Sequence, residues 1–277
     1  MDRPKVTIPA LREMKARGEK IVMHTAYNHW QAQMAELAGA DTILVGDSAG
    51  MVEHGFTSTV PVTMEMMLLH CAAVVRGSRS PFIIGDMPFM SYEVSIQEAV
   101  RNAGRLVKEG GVDAVKLEGG TSRAQTIEAI VRAGIPVVGH VGLTPQSATQ
   151  LGGFKVQGKD RERARQVLED AMAVQEAGAC MVVLECVPTP LAKVITERLS
   201  IPTVGIGAGP HCDGQVLVFH DVLGIFDAFK PKFVKRYMNC RDAMIQALRE
   251  YTQEVRSAAF PGEEHGFSMD EDQLEGL

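Results

Sequence analysis

With 277 residues, 45% hydrophobic and 22% charged, the chain can enclose one large core, and its size suits a barrel better than two small domains. A net charge of −6 argues against a general nucleic-acid surface, because phosphate binding needs clustered Lys and Arg; the run Lys230–Arg236 (KPKFVKR) is short enough to be a solvated face or a local anion site. The five cysteines (Cys71, Cys180, Cys186, Cys212, Cys240) are odd in number and form no CxxC, which suits reduced thiols, and the sequence holds neither a signal peptide's apolar core nor an apolar run long enough to span a membrane, so a cytoplasmic protein is expected.

In chain order, short β-rich apolar runs alternate with segments of helical period. A helix is expected near Pro9–Arg17 and a first strand over Lys20–Tyr27; Asn28 then caps a helix carrying Trp30, Met34 and Leu37, with Gln31 completing a capping box. Asp41–Asp47 reads as the second strand. The stretch Ser48–Thr63 after it has glycines and no periodicity, the mark of a long irregular loop, and such loops are more often functional than idle. A Met- and Leu-rich helix follows over Thr63–Arg76, then a third strand over Phe82–Asp86. Ser95 and Glu98 form a capping box for a helix whose apolar face is Ile96, Val100, Ala103 and Val107. Ala114–Glu118 is the fourth strand, and Ser122 with Gln125 opens the next helix. Ile135–His140 is the fifth strand, followed by a second long loop over Leu143–Lys159 and an amphipathic helix over Arg161–Ala177. Met181–Glu185 is the sixth; Thr189 then serves as N-cap with Pro190 at the first helical position. Ile201–Ile206 is the seventh strand, Gln215–His220 the eighth, and Arg241–Arg256 the final helix.

Eight strands separated by helices predict an α/β fold, a (β/α)8 TIM barrel over residues 1–265 with an N-terminal and a C-terminal helix; a doubly wound open sheet would need sharper breaks in strand order. Residues 266–277 are polar and acidic enough to be a disordered tail.

Four of these strands end in a carboxylate: Asp47, Asp86, Glu118 and Glu185. Active sites of such barrels lie at the C-terminal strand ends. Singly, each could be a helix cap or a solvated loop residue. Lys116 stands two residues before Glu118, so an ammonium and a carboxylate leave one strand on the same face. Mutually repelling carboxylates in one basin call for a cation, and hard oxygen ligands suit Mg²⁺ better than zinc, with two direct ligands and a third through water sufficing. Gly205–Gly209 (GIGAG) is either an anion-binding loop or a tight turn between strand and helix. His140 fits a general acid, a ligand-orienting donor or a buried, hydrogen-bonded core histidine. Cys186 has no basic neighbour in sequence and reads as a small packed residue.

The runs TAY (25–27), LVGDS-G (44–50), ST-PVT (58–63), D-PFM-Y (86–92), VKLEGG (115–120), GH-GLTPQS (139–147), GGFKVQG (152–158), LECVP (184–188), GIGAG (205–209), DGQVLV-HD--G (213–224) and PGEEH (261–265) appear together in this order. They closely resemble the ketopantoate hydroxymethyltransferase (3-methyl-2-oxobutanoate hydroxymethyltransferase) family over about Lys15–His265. One departure is Asn28, where that pattern carries Asp. The resemblance implies a barrel enzyme that transfers a one-carbon unit from 5,10-methylenetetrahydrofolate to 3-methyl-2-oxobutanoate, through an enolate stabilised by Mg²⁺. It implies Asp47 and Asp86 as metal ligands, with Glu118 as a third or water-mediated one. Asp47, Ser48, Asp86 and Lys116 become substrate contacts, and Glu185 the catalytic proton acceptor. It also implies a homo-oligomer, a decamer in bacterial members, with no nucleic-acid or membrane partner. Two other classes remain open: the phosphoenolpyruvate mutase and isocitrate lyase group, whose lyases carry a KKCGH-like loop that is absent from this sequence, and a non-enzymatic ligand binder.

Overall fold

A computed structural model describes residues 3–150, 152–227 and 230–276; Leu151 of the second long loop and Leu277 of the acidic tail lie outside the described residues. Eight strands form a closed, all-parallel barrel in sequence order. They are β1 Ile21–Thr25, β2 Thr42–Val45, β3 Phe82–Asp86, β4 Ala114–Glu118, β5 Val137–Gly142, β6 Met181–Glu185, β7 Thr203–Ile206 and β8 Gly214–Leu217. Pairing of β1 with β8, Met23 opposite Val216, closes the ring and sets the open-sheet alternative aside.

The helices are α1 Ile8–Arg17, α2 His29–Leu37, α3 Ala49–Val52, α4 Met64–Gly77, α5 Ile96–Lys108, α6 Ala124–Arg132, α7 Arg161–Glu176, α8 Thr189–Arg198, α9 Phe219–Leu223 and α10 Cys240–Arg256. Thr7 caps α1 by accepting from the Ala10 N–H, and Gly18 ends it in the left-handed region. Val6 and Leu11, the latter on this helix, join the barrel's inner cluster, so α1 packs against the interior formed by Ile21, Met23, Ile84, Val138 and Val183. Strand alternation sorts the remaining side chains. On β4, Ala114 faces inward while Val115 and Leu117 join the layer beneath the helices; β3 and β6 divide the same way.

Several local expectations shift. The stretch after β2 contains the short α3, where the chain turns immediately past Asp47. Asn28 caps α2 through the Gln31 N–H as expected, but the Gln31 side chain reaches back to the Tyr27 N–H instead of the cap residue. Ser122 lies inside a 3₁₀ turn ahead of α6, not at its cap, and Thr189 is the first residue of α8, with Pro188 before it. The eighth strand stops at Leu217, and His220 belongs to α9. The fully buried residues of α5 are Ala99, Asn102, Ala103 and Leu106; of the expected face Ala103 is buried, Val100 and Val107 pack part-buried against the core, and Ile96 is exposed. Small side chains let this helix approach the barrel closely, and Asn102 donates from Nδ2 to the Ser91 carbonyl at 2.7 Å, which satisfies a polar group in that contact.

Close approach also decides Gly77, at the end of α4. A Cβ there would lie 2.2 Å from the His29 carbonyl oxygen of α2, a backbone atom that cannot swing aside. Gly77→Ala is therefore expected to lower the unfolding free energy by about 1–3 kcal/mol, the usual range for overpacking, in urea unfolding followed by circular dichroism. Parental stability in this variant would show that the α2–α4 contact yields easily.

Candidate active site

The sequence-predicted residues meet at the C-terminal end of the barrel. Register places Asp86 beside Lys116, Glu118 beside His140, and Glu185 between Gly142 and Ile206. Asp47, Asp86, Lys116, Glu118 and His140 are all buried, whereas Glu185 keeps partial exposure at the rim.

Lys116 is the hub. Its Nζ lies 2.9 Å from Asp86 Oδ1, an ion-pair contact, and 3.2 Å from His140 Nδ1. Asp86 accepts from the Asp47 N–H through its other oxygen at 3.0 Å. Asp86 Oδ1 is buried and has the Lys116 ammonium as its contact. His140 reaches two further carboxylates: Nδ1 lies 3.5 Å from Glu118 Oε1, and Nε2 lies 3.2 Å from Glu185 Oε2. Ser48 pairs its hydroxyl with that of Tyr27 at 2.8 Å.

Burial dominates the electrostatics. It pushes Asp47 up to about 8, assisted by the charges of Asp86 and Glu118 and opposed by Lys116. Asp86 is raised by burial as well, with Lys116 pulling the other way. For Lys116 burial works against the charge, but Asp86, Glu118 and Asp47 outweigh it and hold the ammonium protonated above its ordinary range. On His140, burial and Lys116 disfavour the cation, while hydrogen bonds to Glu118 and Glu185 favour it, for a sum of about 9. That upward pull conflicts with a 3.2 Å contact between Nδ1 and an ammonium, which can only donate. We place the ring proton on Nε2, facing Glu185, because the distance requires a bare Nδ1.

Two residues of this network were not singled out from the sequence. Gln146, in a 3₁₀ turn after β5, donates from Nε2 to Asp47 Oδ2 at 2.8 Å and from its backbone N–H to Glu118 Oε2 at 3.0 Å. Tyr92 donates its hydroxyl to Gln146 Oε1 at 2.5 Å. Neither lies on a strand, so strand alternation gave no signal for them; Tyr92 and Gln146 do fall inside the runs D-PFM-Y and GH-GLTPQS that carry the family resemblance. The glycines of GIGAG, in turn, are used for close packing: a Cβ on Gly207, at φ +65°, would meet the Phe233 ring at 2.7 Å. Phe233 comes from the KPKFVKR run, so two features read separately in the sequence touch in space. Cys186 is part-buried with its thiol pushed up to about 12 by burial and by Glu185, consistent with a packed, unreactive side chain.

A family model described as ketopantoate hydroxymethyltransferase matches residues 5–263. The chain is 57% identical over 265 residues to the 3-methyl-2-oxobutanoate hydroxymethyltransferase of Moorella thermoacetica, covering 96% of this chain and 98% of that one. It is 56% identical over 277 residues to the protein of the same name from Carboxydothermus hydrogenoformans, covering 100% of each. The chain belongs to the ketopantoate hydroxymethyltransferase family. It is thus an enzyme, a hydroxymethyltransferase, and the reading as a passive binder falls away. Among solved structures, a phosphonopyruvate hydrolase in complex with oxalate and Mg²⁺ is similar at TM-score 0.61 and 15% identity, covering 97% of this chain and 93% of that one. A 2,3-dimethylmalate lyase of the phosphoenolpyruvate mutase and isocitrate lyase superfamily is similar at TM-score 0.58 and 16% identity, covering 94% and 91%. These two likenesses concern the barrel fold alone. No helix among the described residues is long and apolar enough to cross a membrane.

The raised Asp47 yields a pH test of the site in this family member. A carboxyl whose folded pKa, about 8, exceeds its unfolded value of 3.8 binds its proton more tightly in the folded state. Its contribution to stability is complete below about pH 4 and is lost as pH rises toward 8. In the presence of a chelator, the thermal midpoint is expected to fall over that interval more steeply in the parental protein than in Asp47→Asn. Identical pH slopes for the two proteins would count against a neutral, buried Asp47.

Proposed function

We propose that the enzyme joins 3-methyl-2-oxobutanoate to the one-carbon unit of 5,10-methylenetetrahydrofolate, consuming water and giving 2-dehydropantoate and tetrahydrofolate. This would be the first committed step of pantothenate and coenzyme A biosynthesis. The observation that carries the reading is the arrangement around His140: a buried ammonium on one side, at Lys116, and a rim carboxylate on the other, at Glu185.

Such a site suits removal of a proton next to a keto group. Glu185 Oε2 accepts the C3 proton, the electron pair of the broken C–H bond moves toward the keto oxygen, and Lys116 supplies positive charge where that oxygen becomes negative. The C3 carbon then forms its bond to the folate methylene carbon as a carbon–nitrogen bond of the folate breaks. Water cleaves the second carbon–nitrogen bond: its oxygen stays on the former methylene carbon as the product hydroxyl, and its two protons with the one held by Glu185 supply that hydroxyl and the two N–H groups of tetrahydrofolate. Ser48, held by Tyr27, offers a hydroxyl to the 2-oxo acid, as do the polar groups of Asp47 and Asp86.

The donor set fits Mg²⁺. All candidate ligands are carboxylate oxygens, and those of Asp47, Asp86 and Glu118 are buried together. Among the described residues no group of three His, Cys, Asp or Glu side chains stands ready to hold a metal. Mg²⁺ takes one or two carboxylates and fills its other positions with water and substrate oxygens. Asp47 and Asp86 would hold it, with Glu118 acting through water. When bound, Mg²⁺ supplies the charge that draws electrons from the keto and carboxylate oxygens of the substrate. An Asp86→Asn protein is expected to lose Mg²⁺ binding by titration calorimetry while keeping its fold, and parental Mg²⁺ affinity in that variant would remove Asp86 from the ligand set.

A homo-oligomer, a decamer by likeness to bacterial members, is part of the same proposal, as is a cytoplasmic location. The 17-residue α10 supports assembly: none of its residues is buried in the protomer, and it exposes Met244, Leu248, Tyr251 and Val255. We further read 1–265 as the catalytic unit and the acidic stretch that follows, which holds a 3₁₀ turn over Glu271–Leu274, as an extension that the chemistry does not need. Sedimentation equilibrium is expected to give a mass several times that of one chain; a monomer would refute the assembly.

Glu185→Gln separates binding from chemistry. It keeps the shape and hydrogen bonding of the side chain but cannot accept a proton. The variant should bind Mg²⁺ and 3-methyl-2-oxobutanoate, yet exchange the C3 proton into D₂O more slowly by a factor of roughly 10²–10⁴, the usual contribution of a positioned base. Near-parental exchange, read by proton NMR, would transfer the role to His140.

A further inference from the structure

Gln146 reaches the acidic cluster from outside the strands, and its polar atoms are fully used. Besides its bonds to Asp47 and Glu118, Nε2 donates to the Met87 carbonyl at 3.0 Å. Its Oε1 accepts the Tyr92 hydroxyl at 2.5 Å, while that hydroxyl oxygen accepts from the Glu118 N–H at 3.3 Å. These partners leave one orientation for the amide. If it were flipped, Oε1 would face the Met87 carbonyl, two acceptors with no proton between them whatever the state of Asp47, and the NH₂ group would face a hydroxyl that already accepts from the Glu118 N–H. Orientation is thus imposed by a carbonyl and a phenol, neither of which changes charge in the working pH range, since burial raises the Tyr92 phenol above its ordinary pKa.

One residue therefore restrains two acidic strand ends by different means, the side chain on Asp47 and the backbone on Glu118. A single buried carboxylate can rotate about its last bond and, beside Asp86, can turn either oxygen toward a donor. With Oδ2 held by the amide, Asp47 is fixed in rotation and its other oxygen stays outside that bond. Glu118, held by the Gln146 N–H and faced by His140, is kept one step back. We propose that Gln146 is a positioning residue that presets Asp47 and Glu118 for Mg²⁺, Asp47 as a direct ligand and Glu118 at one remove. The inference rests on the reading of Asp47 and Asp86 as the Mg²⁺ ligands.

Gln146→Met tests it, because methionine matches the length of the side chain, removes the amide and leaves the backbone N–H on Glu118. Titration calorimetry with Mg²⁺ alone should show affinity lowered by about 10–100-fold, the range for loss of a group that orients a metal ligand. Tyr92→Phe should weaken it in the same direction and by less. The double variant should be no weaker than Gln146→Met, since Tyr92 acts through the amide. Raising Mg²⁺ should restore turnover in Gln146→Met, which a merely structural role would not produce. Parental Mg²⁺ affinity in a folded Gln146→Met protein would overturn the inference. If that variant does not fold, Tyr92→Phe decides on its own, and parental affinity there has the same consequence. Absence of Mg²⁺ binding by the parental protein would instead overturn the metal assignment beneath it, so the two failures are told apart.

Discussion

One buried ammonium holds the site together. Lys116 stands where Asp47, Asp86 and Glu118 would otherwise repel one another in a medium of low dielectric, and it contacts Asp86 directly at 2.9 Å. Taking such charges out of water costs several kcal/mol per ion, and pairing recovers that only when geometry and hydrogen bonding are complete. Here the Asp86 carboxylate meets the Lys116 ammonium through Oδ1 and the Asp47 N–H through Oδ2.

The barrel makes this arrangement possible by sorting residues along each strand. Toward the N-terminal end, inward positions are apolar: Ala114, Ile84, Val138 and Val183 pack with α1 into one cluster. Toward the C-terminal end, the same alternation delivers Lys116, Glu118, Asp86 and His140. Strand register then decides who meets whom. Because Asp86 pairs with Lys116 and Glu118 with His140, each charge finds a partner on the neighbouring strand rather than its own. Glu185, on β6, meets the group through His140 alone, which leaves it near solvent and suited to exchanging a proton.

Outside the strands, the structure favours close approach over bulk. Helix α5 turns its alanines, not its isoleucine, to the barrel; α4 ends on a glycine against α2; Gly207 makes room for Phe233. Amphipathic pattern alone ranks large apolar residues as the buried face, and it fails where backbone separation is small. The capping signals fared better because they are local. Of the four expected caps, Asn28 and Ser95 accept the backbone N–H of an N-cap, while Thr189 lies one position inside α8. Ser122 does not, since a 3₁₀ turn intervenes before α6.

The sequence by itself determined the eight-fold alternation of strands and helices, the apolar interior, and the four carboxylates with Lys116 at strand ends, because the period of a strand and the ends of its apolar run are written in adjacent residues. Only the tertiary structure decided that the ring closes through β1 and β8, that His140 stands between Lys116 and Glu185, and that Gln146 bonds Asp47 from 99 residues away. Those contacts depend on register, twist and the path of a loop between distant strands. No local pattern encodes them, since each is fixed by the packing of the whole barrel.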